Sequence, residues 1–242
     1  MSEKPFLSIV IPTYKEEKRI HKILDAIIAY EKSSKYEIEV LVVVDGSPDE
    51  SAKAAEKYQD QIKGLKVTDR KENKGKGYTV REGMLKAKGE YILFADADNA
   101  TPIQQIDKLL KYKDSFEVMI GSRYCQGGKL AHPQGIVRKL GGRVLNLIIR
   151  ALAVRGISDT QCGFKLFKHD AAKEIFKRMT FEKFSFDIEI LAIAKLHKFK
   201  IKEVGITWYD DPHSTVSPIK DGLKMVRDAW RVKQNLASKK YK

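Results

Sequence analysis

The chain has 242 residues, 43% hydrophobic and 32% charged, with 46 Lys+Arg against 32 Asp+Glu for a net charge of +14. That length and apolar content can bury a sizeable core, and apolar runs recur along the whole sequence, which excludes a disordered chain. Only two cysteines are present, Cys125 and Cys162, without a C-x-x-C spacing. They exclude a disulfide scaffold and a structural zinc site and point to free thiols in a reducing compartment.

In chain order, Leu7–Ile11 reads as a short strand stopped by Pro12. Ile20, Ile23, Leu24, Ile27 and Ile28 then recur at helical spacing. Val40–Val44 is a continuous β-branched and leucine run, as in a strand buried on both faces. A helix is expected over Ser47–Tyr58, a strand over Leu65–Asp69, a helix over Gly75–Lys88 and a buried strand over Tyr91–Ala95. Ile103–Tyr112 reads as helix and Glu117–Ile120 as strand. The second half is less regular, with strands over Phe164–Phe167 and Ile201–Trp208 and helices over Asp170–Phe176, Phe186–His197 and Ile219–Leu236. On the last helix Ile219, Leu223, Val226 and Trp230 share one face. The alternation predicts an α/β fold, a mostly parallel central sheet flanked by helices.

No run of 18 uncharged apolar residues occurs, so no membrane span is expected. Met1–Leu7 carries Glu3 and Lys4 and does not read as a signal peptide. The expected location is the cytoplasm, peripheral on the cytosolic face of a membrane. A charge of +14 suits an anionic partner, whether nucleic acid, phosphorylated substrate or anionic lipid, and equally suits solubility alone.

Ligands of open α/β sheets bind beyond the carboxyl ends of the strands. Those ends carry Pro12-Thr13-Tyr14-Lys15-Glu16, Asp45-Gly46-Ser47, Asp96-Ala97-Asp98 and Ser122-Arg123. Any one acid there could be a helix cap, but several together favour a site. Asp96 and Asp98 form a hard oxygen pair of the kind that holds Mg2+ or Mn2+ beside substrate phosphates. Asn73-Lys74-Gly75-Lys76-Gly77 matches neither a Walker A loop nor G-x-G-x-x-G, because Val80 stands where the third glycine belongs. That leaves a glycine turn opening a helix, with Lys76 as a possible phosphate contact.

These strings, Ile9–Glu16, Val43–Ser47 and Phe94–Asp98, resemble the family 2 glycosyltransferases of the GT-A fold. Gly121-Ser122-Arg123, Asp159-Thr160-Gln161-Cys162-Gly163-Phe164-Lys165-Leu166-Phe167 and Phe186-Asp187-Ile188-Glu189 resemble the polyprenyl-phosphate sugar synthases among them. The DTQCGFKLF string is more similar to the dolichyl-phosphate glucosyltransferase branch than to the mannosyltransferase branch. The resemblance covers nearly the whole chain. It implies that Pro12, Tyr14 and Glu16 frame the nucleobase and ribose of a UDP-sugar and that Asp45 bonds the base. It places Asp96 at the ribose and donor, Asp98 on the metal, and Asp159 and Gln161 at the sugar and reaction centre. Arg123 and Arg138 hold phosphate groups. Arg143 and Lys165 complete the cationic set expected for the acceptor phosphate. Asn99 departs from the family, which usually has Gly or Gln after the second aspartate.

The implied acceptor is a polyprenyl (dolichyl) phosphate. A phosphate monoester has a second pKa near ~6 and arrives largely ionised at neutral pH, so Asp159 need not act as a strong base. It could instead orient the sugar or stabilise developing positive charge.

Two segments read toward a membrane surface. In Val137–Val154, Lys139, Arg143, Asn146 and Arg150 form a narrow polar stripe within a broad apolar arc. An interfacial helix and a buried helix with a paired stripe fit that pattern equally, and the resemblance favours the interface. Ile219–Lys242 holds eight Lys or Arg against Asp221 and Asp228, a polybasic tail suited to an anionic leaflet or to solubility. The expectation is one domain over 1–242, with a nucleotide-sugar half (1–122) and an acceptor and membrane half (123–242). It transfers a hexose, glucose foremost, with inversion. Rival readings are a GDP-mannose donor, an inactive scaffold, and a nucleic-acid-binding module. The last accounts for the charge but not for the acids at the strand ends, and no nucleic acid is expected as partner.

Overall fold

A computed structural model describes residues 4–131, 152–209 and 218–242, with side chains in the last helix described from 224 onward. The elements are β1 (Leu7–Thr13), α1 (Ile20–Ser33), β2 (Ile38–Val44), α2 (Ser51–Glu56), β3 (Leu65–Asp69), α3 (Lys76–Lys86) and β4 (Tyr91–Ala95). A 3-10 turn (Ile103–Gln105) runs into α4 (Ile106–Leu110), followed by β5 (Val118–Ser122) and β6 (Lys129–Leu130). Then come β7 (Phe164–Lys168), α5 (His169–Arg178), α6 (Phe186–Leu196), β8 (Ile201–Gly205), β9 (Thr207–Trp208) and α7 (Pro218–Ala237).

Seven strands form one sheet in the order β3-β2-β1-β4-β7-β5-β8. The pairs β3/β2, β2/β1, β1/β4 and β5/β8 are parallel, and β7 runs antiparallel to both β4 and β5. Successive strand residues face opposite sides, so the sheet feeds two cores. Ile9, Ile11, Val40, Val42 and Leu93 pack against Ile20, Ile23, Leu24 and Ile27 of α1 and Ile106 and Leu109 of α4. Val10, Leu41, Ile92, Phe94 and Phe167 pack against Val80 and Met84 of α3, Ile175 and Phe176 of α5, and α6. Each buried Ile, Leu, Val or Phe contributes about 1.5–3 kcal/mol.

Two expected elements differ in extent. The helix expected from Ser47 starts at Ser51. Asp49 takes the Ser47 and Ser51 hydroxyls, both at 2.6 Å, and its other oxygen accepts the Glu17 amide. Such local side-chain bonds compete with a helical turn. The strand expected over Ile201–Trp208 breaks at Ile206, whose amide donates to Ser122 O at 3.1 Å. Thr207–Trp208 then pairs with β6 in a separate two-stranded sheet.

Among the described side chains of α7, from 224 onward, those buried are Asp228, Ala229 and Val232, while Trp230 is 50% exposed. Over this part of the helix the packed stripe is therefore Met225, Ala229, Val232 and Leu236 rather than the one carrying Trp230. The chain end is also no free tail. Lys239 turns with φ 61°, and Tyr241 is fully buried, donating to Glu189 Oε1 and accepting from Asn235 Nδ2, both at 2.8 Å. Of the helix expected over Val137–Val154, all but residues 152–154 lie outside the described residues.

Candidate active site

The parallel strands β1, β2 and β4 deliver Tyr14, Asp45 and Asp96 to one edge of the sheet. There the loop after β1 is fastened to the loop after β2. Lys15 N donates to Ser47 Oγ at 2.8 Å, Glu16 N to Ser51 Oγ at 2.9 Å and Glu17 N to Asp49 Oδ2 at 3.2 Å. Pro12 is buried within β1, whereas Tyr14 is exposed at the rim. The Glu16 carboxylate accepts from Arg19 Nε and Nη2.

Asp45 is buried. Its carboxylate accepts from Arg70 Nη2 and from the amides of Lys74 and Gly75, both at 2.8 Å. It thereby folds the loop that opens α3. Gly46 holds φ +57° against the backbone of Glu72 and Asn73, where a Cβ would collide. Arg70 also pairs with Glu82 and lies over the Tyr78 ring. Arg70 has one signal in the sequence, a lone guanidinium just after β3.

Beyond β4, Asp96 meets Lys76, the first residue of α3, with Nζ 2.6 Å from Oδ1. Gly163 lies flush against the Asp96 carboxylate, and a Cβ there would occupy the same space. Asp98 Oδ1 accepts the Ala100 amide at 2.9 Å. Burial opposes the Lys76 charge, but Asp96, Asp187 and Asp98 outweigh it and hold its ammonium above the usual lysine range.

Lys165 has a different place from the one expected. It has 0% exposure, and its Nζ donates to Cys162 O and to the buried Asp187. It is a core counter-ion beneath the site rather than a cation facing an acceptor. Burial raises the Asp187 carboxyl against the pull of Lys165 and Lys76. Burial likewise pushes the Cys162 thiol up to about 12, so it is not a nucleophile.

Beyond β5 stands Arg123. Asp159, fully buried, accepts from its Nε at 2.7 Å, its Nη2 at 2.9 Å and its backbone amide at 3.0 Å. Asp159 is in turn held by Glu203, whose oxygens accept the amides of Ser158 (2.8 Å) and Asp159 (3.0 Å). The guanidinium lies over the rings of Trp208 and Tyr124. Burial would raise the Asp159 carboxyl, but Arg123 overcomes it and holds it below the usual carboxylate range. Burial also opposes the Arg123 charge, and Asp159 more than offsets it.

Asp45, Lys76, Asp96, Asp98, Arg123, Asp159 and Gln161 thus share one edge. Arg138 and Arg143 lie outside the described residues. Glu203 and Trp208 were not foreseen, since nothing local marks a strand glutamate as an amide acceptor for a loop 44 residues earlier.

The glycosyl transferase family 2 model matches residues 8–176, which include all of these described residues except Glu203 and Trp208. This chain belongs to that family. The family 2 relatives include the human dolichyl-phosphate beta-glucosyltransferase, 35% identical over 94% of this chain and 78% of its own. A dolichyl-phosphate beta-glucosyltransferase of Trichomonas vaginalis is 34% identical over 95% of this chain and 74% of its own. Among solved structures, the UDP complex of glucosyl-3-phosphoglycerate synthase from Mycobacterium tuberculosis superimposes with a TM-score of 0.65. It is 18% identical and covers 96% of this chain and 79% of that one. The fold is GT-A, as the family 2 motifs imply.

Proposed function

We propose that this enzyme moves glucose from UDP-glucose to a polyprenyl phosphate of the dolichyl type, with inversion, at the cytosolic face of a membrane. The observation that carries the acceptor class is the state of Asp159. Its carboxylate is buried, takes three bonds from Arg123 and is held in its ionised form. Such a group is a poor general base, because its pKa lies far from the operating pH. An alcohol acceptor would need a base, whereas a phosphate does not.

The chain's own residues divide the work. Pro12, Tyr14, Glu16 and Asp45 form the nucleoside end. Lys76 neutralises Asp96 beside the donor. Arg123, fixed by Asp159 and stacked on Trp208, steadies phosphate charge with the donors that Asp159 leaves over, and Gln161 lines the sugar. An acceptor phosphate oxygen attacks the anomeric carbon as its bond to the diphosphate breaks. Among the described residues no three His, Cys, Asp or Glu side chains converge on one point. Two carboxylates suffice for Mg2+ or Mn2+ when substrate phosphates supply further oxygens. Asp98 would be the principal ligand, with Asp96 shared with Lys76. Such an ion neutralises the leaving diphosphate when bound.

No helix among the described residues is long and apolar enough to cross a membrane. Surface contact is supported by Trp230 and Phe184, both at least half exposed, with Lys233 over the Trp230 ring. Arg138 and Arg143 remain the proposed acceptor-side cations. The test is transfer of radiolabelled sugar into organic-extractable lipid, screened over UDP- and GDP-sugars, with polyprenyl phosphate and polyprenol in parallel. Equal transfer to polyprenol would overturn the acceptor class, and preference for GDP-mannose would overturn the donor.

A further inference from the structure

Asn99 Oδ1, Thr160 Oγ1 and Gln161 Nε2 are among six buried polar atoms with no hydrogen-bond partner among the described residues; of the other three, Asp96 Oδ1 is ion-paired with Lys76, and Arg70 Nε and Arg178 Nε belong to guanidinium groups bonded through their other nitrogens. Thr160 is 0% exposed. Leaving a buried polar group unpaired is unfavourable. Glu189, for comparison, accepts from Thr180 N, Thr180 Oγ1, Phe181 N and Tyr241 Oη.

The segments that carry the three orphans are neighbours. The antiparallel pair β4/β7 ends at Ala95 opposite Phe164, and Asp96 N still donates to Gly163 O at 3.1 Å. Residues 96–99 and 160–163 therefore leave the sheet side by side. Tyr209 N donates to Ala100 O at 2.8 Å, and its neighbour Trp208 lies under Arg123, the partner of Asp159. Asn99 also holds φ 54°, a left-handed conformation that costs energy in any residue but glycine.

The chemistry of the three atoms selects the ligand. Asn99 offers an acceptor, Gln161 a donor, and Thr160 either. A phosphate would be repelled by the Asn99 carbonyl, and a cation has no use for the Gln161 amide hydrogens. Neighbouring hydroxyls on a sugar ring, each both donor and acceptor, satisfy all three. We infer that Asn99 and Thr160 act with Gln161 as sugar-binding residues that read hydroxyls of the transferred hexose. This rests on the sugar-nucleotide donor proposed above and adds two residues to it.

The experiment compares wild type, Asn99→Gly and Thr160→Val. Glycine accepts the positive φ without strain, and valine keeps the shape of threonine, so both variants fold. Calorimetry with Mg2+ gives Kd for UDP, UDP-glucose, GDP and GDP-mannose. The quantity read is the affinity of the sugar nucleotide relative to the bare nucleotide, for whichever base the wild type binds. Each variant lowers that ratio roughly five- to tenfold, the loss of one hydrogen bond, and leaves the bare nucleotide within about twofold. The ligand-free variants melt no lower than wild type, because the removed atoms bond nothing in the free protein. An unchanged ratio, or an equal loss on bare nucleotide, overturns the inference. Preference of the wild type for guanosine nucleotides would refute the proposed donor, while the ratio would still report on the cluster.

Discussion

Asp159→Asn replaces a buried carboxylate with an amide of the same shape. The wild-type oxygens accept three N–H groups of Arg123 while the backbone N–H of Asp159 is held by Glu203. In the variant an NH2 faces the guanidinium, and a positive charge of which only 17% of the side chain is exposed loses its counter-ion. Removing one partner of a buried ion pair costs about 3–5 kcal/mol. Because Arg123 keeps some solvent, the lower end applies, about 3 kcal/mol. For a chain of this size each kcal/mol moves the melting temperature by about 2–4 °C, so the drop should be about 6–12 °C. The assay is thermal melting at pH 7, supported by urea unfolding over a pH series.

The pH series has a definite sign. The folded-state pKa of Asp159 is depressed, so its contribution is fully present above the unfolded value of about 3.9 and is lost as pH falls through the folded value. The gap between wild type and variant is therefore constant from pH 7 to about 5 and closes below about pH 4. A variant that melts within about a degree of wild type, or a gap that persists undiminished in acid, would refute the assignment of Asp159 as the clamp of Arg123.

Asp98→Asn should lower turnover by at least about a hundredfold while leaving the melting temperature within a few degrees, and chelator should abolish wild-type transfer; full activity in excess chelator would remove the ion from the mechanism. Transfer to polyprenyl phosphate should fall below about pH 6 as the acceptor takes up its second proton, and a rate flat down to pH 5 would contradict an ionised nucleophile. Tyr241→Phe should cost about 1 kcal/mol, and deleting residues 239–242 about 3–5 kcal/mol, in denaturant titrations; a deletion without effect would show that the chain end is not part of the core. The protein should sediment with anionic vesicles at low salt and less at 1 M, with Trp230→Ala weakening the association, and recovery equal on neutral vesicles would argue against the surface proposed.

The framework was legible because its strands are buried on both faces. Val40–Val44 and Tyr91–Ala95 have no charged side chain to obscure them, and their last residues fix where Asp45 and Asp96 emerge. The errors have a common source in partners distant along the chain. Lys165, read as an acceptor cation, sits mid-strand between Phe164 and Leu166, and its partner Asp187 lies 22 residues on. The apolar stripe through Trp230 and the one through Ala229 and Val232 are both helical in period, and only the position of α6 decides which one packs. Ser47 and Asp49 resemble a helix start until the amides of Lys15 and Glu17 are placed beside them. The orphaned atoms of Asn99 and Thr160 carry no sequence signal at all, since being unpaired is a property of surroundings.

The insertion of β7 between β4 and β5 also sets an order of events during synthesis. As the chain leaves the ribosome, β1 to β4 can assemble in parallel, but one edge of β4 has no neighbour until residue 168 has emerged. That edge contains Ile92, Leu93 and Phe94, an apolar run with bare backbone donors and acceptors of the kind that recruits other chains. β5 cannot shield it, because β5 belongs one place further along the sheet. A fragment ending at residue 122 should therefore aggregate although it holds the proposed nucleoside end of the site. A split or permuted enzyme would have to keep residues 164–168 on the same piece as β4.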